Sequence, residues 1–311
     1  MQHYVVIDLG GTLVKYALAD ETGNLTQQGK TPSTCSNAEE LLDLLERVAR
    51  QFTVPYQGVA ISMPGRVETR TGVAHTGGTF SFLHHTPIAP LLQQRLGVPV
   101  TIANDGKCAA NAELWQGSMR DVENGVVIVL GTGTGGGLIL NHQVYMGHTL
   151  GAGEFSFLAV DYQLLPKGIA DSRDDLTPVW AHYMSAKGLL RIYRFHKHLA
   201  PDTPLDGFGF FRAYDAGEPE ARAALEEFGR YAAAGIYTIQ SVLDSQRIAI
   251  GGGISARPEI VQEIARAVDR QYAAISFTAF GKPEIVRCQF GNDANLIGAL
   301  AFHLAAAAPQ H

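Results

Sequence analysis

One local plan occurs twice in this chain: an apolar run, a glycine turn carrying threonine, then a second apolar run. YVVID at 4–8 leads through Gly10, Gly11 and Thr12 into LVKYALAD. VENGVVIVL leads through GTGTGGG at 131–137 into LILNHQVYM, read as one strand, so 126–146 repeats the plan of 4–20. A third apolar run, RIAI, ends in Gly251–Gly253 and passes into a helix pattern, PEIVQEIARAV. Short apolar runs broken by glycine read as buried strands joined by tight turns. A duplicated α/β unit follows, with two lobes closing over a cleft that the glycine turns face.

The other elements fit this plan. TGNLTQQGKT at 22–31 reads as a strand entered through a Gly23-Asn24 turn. NAEELLDLLERVARQF at 37–52 reads as a helix capped by Asn37. QGVAISMPG reads as a strand ending in a Pro-Gly turn, followed by helix APLLQQRLG, strand VPVTIAND and helix GKCAANAELWQG. Residues 176–242 read as mostly helical, DANLIGALAFHLAAAA as a last helix with a frayed tail, and 161–177 as a surface loop. The expected lobes are 1–108 with about 291–311, and 109–290.

Composition limits the partners. At net charge −6, with Lys and Arg scattered, the chain lacks the basic patch of a nucleic-acid surface. Cys35, Cys108 and Cys288 are odd in number and far apart, so they read as three buried thiols rather than a disulfide framework or zinc ribbon. MQHYVVIDLGG lacks the pattern of a signal peptide, and no run is long enough for a membrane span. The expectation is a cytoplasmic protein with no membrane or nucleic-acid partner.

Glycine turns allow backbone N–H groups to approach a phosphate, although one such turn also suits an ordinary hairpin. Two known phosphate motifs fail here. GNLTQQGKT has Gly23 one residue too far from its GKT and is flanked by strands, so it is not a Walker loop. Gly131, Gly133 and Gly136 have GxGxxG spacing, but a strand follows where a dinucleotide fingerprint needs a helix. Asp105 opens a helix after a strand, which suits either a cap or a carboxylate aimed at a substrate.

DLGGT, SMPG, NDGKCAA, LGTGTGGG, GAGE and IGGG, in that order from residue 8 to about 300, resemble the ROK family of sugar kinases. The resemblance implies a two-lobed actin-like ATPase (ribonuclease H-like) fold with a duplicated mixed-sheet core. It implies ATP-dependent phosphorylation of a sugar hydroxyl, with Asp105 as general base and Asn104 bonding the ring hydroxyls. Gly65 and Glu154 would also meet the sugar. Asp8, Gly10, Gly11, Thr12, Gly131, Thr132 and Gly133 would serve the phosphates, and Gly252 and Gly253 the adenosine. Magnesium would accompany the nucleotide, with Asp8 near it. Lys15 reads equally as a nucleotide contact or an ordinary strand lysine. A homodimer is the family's common state.

The sequence departs from that family at one place. Many members read G-E-x-G-H and carry a cysteine loop on a structural zinc. Here Ser156 and Phe157 replace Gly-His, and 159–178 contains neither Cys nor His, so no zinc is expected. His84-His85 reads as a loop edge near the sugar rather than a metal site. Phe157 would offer the sugar or an aglycone an apolar wall. With NDGKCAA and Trp180 in the shortened loop, this resembles the branch of β-glucoside kinases, which act on the 6-hydroxyl. Glucokinase or N-acylhexosamine kinase activity is the alternative. A non-catalytic sugar sensor is the distant one, because ROK regulators carry a helix-turn-helix before the first turn and here that turn begins at residue 8.

Overall fold

The computed structural model describes residues 2–160, 179–200, 202–277 and 279–307. The loop expected at 161–177 and the frayed tail at 308–311 lie outside the described residues. No helix among the described residues is long and apolar enough to cross a membrane.

The chain opens with β1 (His3–Leu9), β2 (Leu13–Asp20) and β3 (Leu25–Pro32), a meander in which β1 is almost wholly buried and β3 largely exposed. The β2–β3 turn is held by Asp20, whose Oδ1 accepts from the N–H groups of Thr22 and Asn24 at 2.8 and 3.0 Å. Helix α1 (Ala38–Arg50) starts as expected: Asn37 Oδ1 accepts from Glu40 N–H at 2.9 Å. The Glu40 carboxylate reaches back to Ser36 N–H, so the residue before the cap is tied to the first turn. Strand β4 (Val59–Met63) follows, then three short strands, β5 (Val67–Glu68), β6 (Val73–Thr76) and β7 (His84–Thr86). Helix α2 (Ile88–Leu96) ends at Gly97, which takes the left-handed conformation that a C-cap favours. Then come β8 (Val100–Asn104) and α3 (Asp105–Gln116).

The second half repeats the plan with β9 (Gly125–Leu130), β10 (Thr134–Leu140) and a short β11 (Gln143–Tyr145). Helices α4 (Ala186–His196), α5 (Gly207–Asp215) and α6 (Pro219–Leu243) form the helical stretch. Strand β12 (Arg247–Gly251), helix α7 (Pro258–Ala274), strand β13 (Glu284–Arg287) and helix α8 (Ala294–Ala307) close the chain.

The described residues group into two compact units, one within Met1–Arg120, Gln143–Ala152 and Asn292–His311, the other within Asp121–His142 and Gly153–Gly291. In the first unit the sheet runs β3-β2-β1-β4-β8, with β1 antiparallel to β2 and parallel to β4. In the second it runs β10-β9-β12-β13, with β9 antiparallel to β10 and parallel to β12. The duplication read from the glycine turns is therefore a duplication of mixed sheets.

Each unit has its own core. In the first, leucines 41, 42, 44 and 45 of α1 pack with Val5, Ile7 and Ile61 of the sheet. On another face α3 and α8 approach so closely that a Cβ on Gly298 would fall 1.7 Å from the Cys108 carbonyl oxygen. In the second, Ile128, Ile248 and Ile250 pack with Phe228, Ile236 and Trp180. Trp180 is fully buried and its Nε1–H donates to the Tyr231 carbonyl at 2.8 Å, which satisfies the one polar atom of a large apolar side chain.

Four local expectations are corrected. LILNHQVYM is not one strand: Asn141 and His142 both take positive φ (53° and 58°) and separate β10 from β11. The second glycine turn is shorter than 131–137, because β10 already begins at Thr134 and absorbs Gly135–Gly137. The stretch after the SMPG turn holds the small β5-β6-β7 sheet, and His84-His85 belongs to its third strand. Two- to four-residue strands offer too few alternations for periodicity to register. Finally, Cys35 is half-buried, whereas Cys108 and Cys288 are buried, and all three are free thiols.

Candidate active site

The first glycine turn is a tight hairpin. Gly10 N–H donates to the Leu13 carbonyl at 3.1 Å, and a Cβ on Gly10 would lie 2.8 Å from that oxygen. Gly11 faces the Thr79 side chain, with Oγ1 2.8 Å from where its Cβ would be. Gly11 and Thr12 are exposed, so their backbone is open to a ligand. Asp8, the last polar residue before the turn, is buried. Its Oδ1 accepts from Ser62 Oγ at 3.2 Å and Asn295 Nδ2 at 3.0 Å, and its Oδ2 lies 3.8 Å from Lys15 Nζ. Cys108 lies beneath this group; burial pushes its thiol pKa well up, against a hydrogen bond with Ser62. It is therefore an inert core thiol.

Asn104 and Asp105 divide the work at the start of α3. Asn104 is the cap: its Oδ1 accepts from Lys107 N–H at 3.1 Å. Its Nδ2 donates to the Gly65 carbonyl at 2.9 Å, so one carboxamide ties the helix entry to the SMPG turn. Each end of that carboxamide keeps hydrogen-bonding capacity. Asp105 is the first helical residue, and its Oδ1 accepts from Gly106 N–H at 2.8 Å. A carboxylate there is favoured by the positive end of the helix. Gly65 must be glycine, since its φ is +96° and a Cβ would sit 2.3 Å from the Thr76 carbonyl oxygen.

In the second unit, Gly131 N–H donates to the Gly133 carbonyl at 3.0 Å and closes the 131–133 turn. Ser156 holds it from outside: Oγ donates to the Thr134 carbonyl at 2.8 Å and accepts from Thr134 N–H at 3.3 Å. Gly153, at φ +77°, brings the chain within contact of Gly137, where a Cβ would be 3.0 Å from the Gly137 Cα. Glu154 follows, then a single 3₁₀ turn, Phe155–Phe157. Glu154 is exposed. The two phenylalanines have opposite fates. Phe155 is buried in the core, and Phe157 is 61% exposed.

The third turn follows β12. Gly252 has φ +88°, and a Cβ there would be 2.3 Å from the Leu130 carbonyl oxygen, so this turn lies directly on the end of β9. Nothing lies within 4 Å of where a Gly253 Cβ would be. Gly252 packs against protein while Gly253 leaves open space beside it.

Several supporting residues were not read from the sequence. Ser62 was read only as a letter of the SMPG turn and Asn295 carries no motif; they matter because β4 and α8 bring them to Asp8. Lys107 is fully buried two positions after Asp105, in a segment whose lysine looks like a surface residue. Trp180, read as a loop residue, is core. Among the described residues no group of three or more His, Cys, Asp or Glu is placed to hold a metal ion. A magnesium ion carried by a nucleotide needs only sparse protein oxygen ligands, and Asp8 Oδ2 is chemically suited to that.

Comparison with known proteins shows the family and the fold. The ROK family model matches residues 4–306. The beta-glucoside kinase of Klebsiella pneumoniae is 30% identical over 298 residues, covering 94% of this chain and 93% of that protein. Among solved structures, a ROK family protein from Streptococcus pneumoniae TIGR4 in complex with sucrose is 28% identical, with TM-score 0.82 and 98% of each chain covered. A ROK family glucokinase from Streptomyces griseus in complex with glucose and AMPPNP shares the fold at 24% identity and TM-score 0.80, over 96% of this chain and 98% of that one. The fold is thus the actin-like ATPase fold that the family resemblance implied. All the residues described above, from Asp8 to Asn295, fall within the matched span, and the chain belongs to the ROK family.

Proposed function

We propose that this ROK-family sugar kinase transfers the γ-phosphoryl group of ATP to the 6-hydroxyl of a β-glucoside of the cellobiose type. The observation that carries the reading is Phe157, an aromatic ring 61% exposed three residues after Glu154. An exposed apolar ring three residues from an exposed carboxylate suits a glycoside, whose hydroxyls need acceptors and whose sugar face or aglycone needs an apolar wall. The similarity to a beta-glucoside kinase supports it.

In this reading Asp105 accepts the proton of the attacking hydroxyl, while Glu154 and Asn104 bind ring hydroxyls and fix their orientation. Gly65 brings its backbone to the sugar. The backbone N–H groups of Gly11 and Thr12, and of Thr132 and Gly133, hold the phosphates, while the N–H groups of Gly10 and Gly131 close the two turns that present them. Thr132 donates its hydroxyl to the β-phosphate, and Gly252 and Gly253 line the adenosine position. Bound magnesium would offset phosphate charge, and Asp8 is the residue that would hold it. The assembly carried by this reading is a homodimer acting without a structural zinc.

The test is turnover of purified protein with Mg-ATP on cellobiose, salicin, glucose, fructose, N-acetylglucosamine and N-acetylmannosamine. The reading expects the highest kcat/KM on cellobiose or salicin. Robust turnover of glucose with none of either glucoside would overturn the substrate and favour a glucokinase.

A further inference from the structure

The two oxygens of Asp8 keep different company. Oδ1 is held twice, by Ser62 Oγ at 3.2 Å and Asn295 Nδ2 at 3.0 Å, while Oδ2 faces Lys15 Nζ at 3.8 Å. The three partners come from three elements. Ser62 is the register partner of Asp8 on parallel β4, Lys15 its register partner on antiparallel β2, and Asn295 the second residue of α8. A carboxylate anchored through one oxygen by two donors cannot turn about its Cβ–Cγ bond without breaking both hydrogen bonds. Its other oxygen therefore has a fixed direction. Ser62 is fully buried and also bonds the Cys108 thiol, so it belongs to the core as much as to Asp8. Asn295 is only partly buried, and it meets Asp8 from the positive end of a helix. Lys15, with its side chain 42% exposed, sets a cationic charge beside the free oxygen.

We propose that Asn295 is a positioning residue for the phosphoryl donor: it locks Asp8 Oδ1, so that Oδ2, with Lys15 beside it, is presented to the metal-bound nucleotide. The proposal rests on the sugar-kinase reading for its ligand, a magnesium nucleoside polyphosphate. It does not depend on which sugar is phosphorylated.

The test compares wild type, Asn295→Ala and Asn295→Asp by calorimetric titration with MgADP, thermal unfolding, and steady-state kinetics. Loss of one hydrogen bond to a charged group should weaken MgADP binding by roughly tenfold. KM for ATP should rise similarly, with sugar KM unchanged and a melting temperature lowered but still above the assay temperature. Asn295→Asp keeps the size of the side chain but replaces the donor with a second carboxylate, so at pH ~7.5 its MgADP affinity should fall at least as far as that of Asn295→Ala. A purely structural role would instead move KM for ATP and KM for the sugar together. Wild-type MgADP affinity in Asn295→Ala or in a folded Asn295→Asp overturns the proposal. If the wild type phosphorylates no sugar yet the binding pattern holds, the sugar-kinase reading fails and the role of Asn295 stands.

Discussion

Ser156 and Thr134 are hydrogen-bonded in both directions, the hydroxyl donating at 2.8 Å to the carbonyl and accepting at 3.3 Å from the N–H of the same residue. This joins the residue after the Glu154-Phe155 pair to the first residue of β10, where the second glycine turn ends. Ser156→Ala removes both bonds from a partly buried site. It should cost about 1–2 kcal/mol of stability and raise KM for ATP more than KM for the sugar. Thermal unfolding and kinetics on the two substrates check this; a variant with unchanged stability and unchanged KM for ATP would show that the turn holds itself.

Asp105→Asn tests the base directly. The carboxamide keeps the shape at the start of α3 but cannot accept the hydroxyl proton, so kcat should fall at least ~10²-fold. The loss of a favourable charge at the helix N-terminus should cost only about 0.3–1 kcal/mol. Near-normal kcat in a well-folded variant refutes the role.

Gly252→Ala tests the contact beneath the third turn. The new methyl would fall 2.3 Å from the Leu130 carbonyl oxygen at a φ of +88°, so the turn must shift off β9. A loss of about 1–3 kcal/mol is expected, together with weaker nucleotide binding. Gly253→Ala, whose methyl meets nothing within 4 Å in the protein, should leave stability near wild type. Equal stability losses in the two variants would contradict this division.

Phe157→Ala should lower kcat/KM for salicin by the worth of one aromatic contact, about 0.5–1.5 kcal/mol, and leave stability unchanged because the ring is largely exposed. An equal loss on glucose and salicin would remove the ring from glycoside selection.

His303 predicts an acid-side loss of stability. Burial holds its imidazole pKa below the ordinary value; Nδ1 lies 2.9 Å from Thr101 Oγ1, and the ring packs edge-on with Tyr4. The folded state favours the neutral ring, whereas the unfolded chain takes up the proton near pH ~6.5. The contribution is complete above that pH and is lost as pH falls through the lowered folded-state value. His303→Gln should flatten this part of the urea-midpoint profile between pH 7.5 and 5. A profile parallel to wild type would exclude His303 as its source.

Glycine and capping residues made much of the fold readable. DLGGT, SMPG, GAGE and IGGG mark turns at which Gly10, Gly65, Gly153 and Gly252 take positive φ or meet backbone at contact distance, so the letters themselves carry geometry. Asn37 was legible as a cap for the same reason, its partner being three residues away. The β5-β6-β7 strands, and the break at Asn141 and His142, were not legible. Strands this short have no measurable period, and an Asn-His pair without glycine, though its residue types tolerate positive φ, is a weaker turn signal than Asn-Gly.

The sequence by itself determined the duplicated α/β plan, the family, and the residue types set at each turn, because backbone constraints of that kind act within a few positions. Tertiary structure alone decided which neighbours those residues have. Asp8, Ser62 and Asn295 span 287 residues of chain and meet because β1, β4 and α8 pack together. Phe155 and Phe157, identical side chains two residues apart, go to the core and to solvent because one 3₁₀ turn points them in different directions. Packing over that range leaves no local pattern, so it had to be seen in the folded chain.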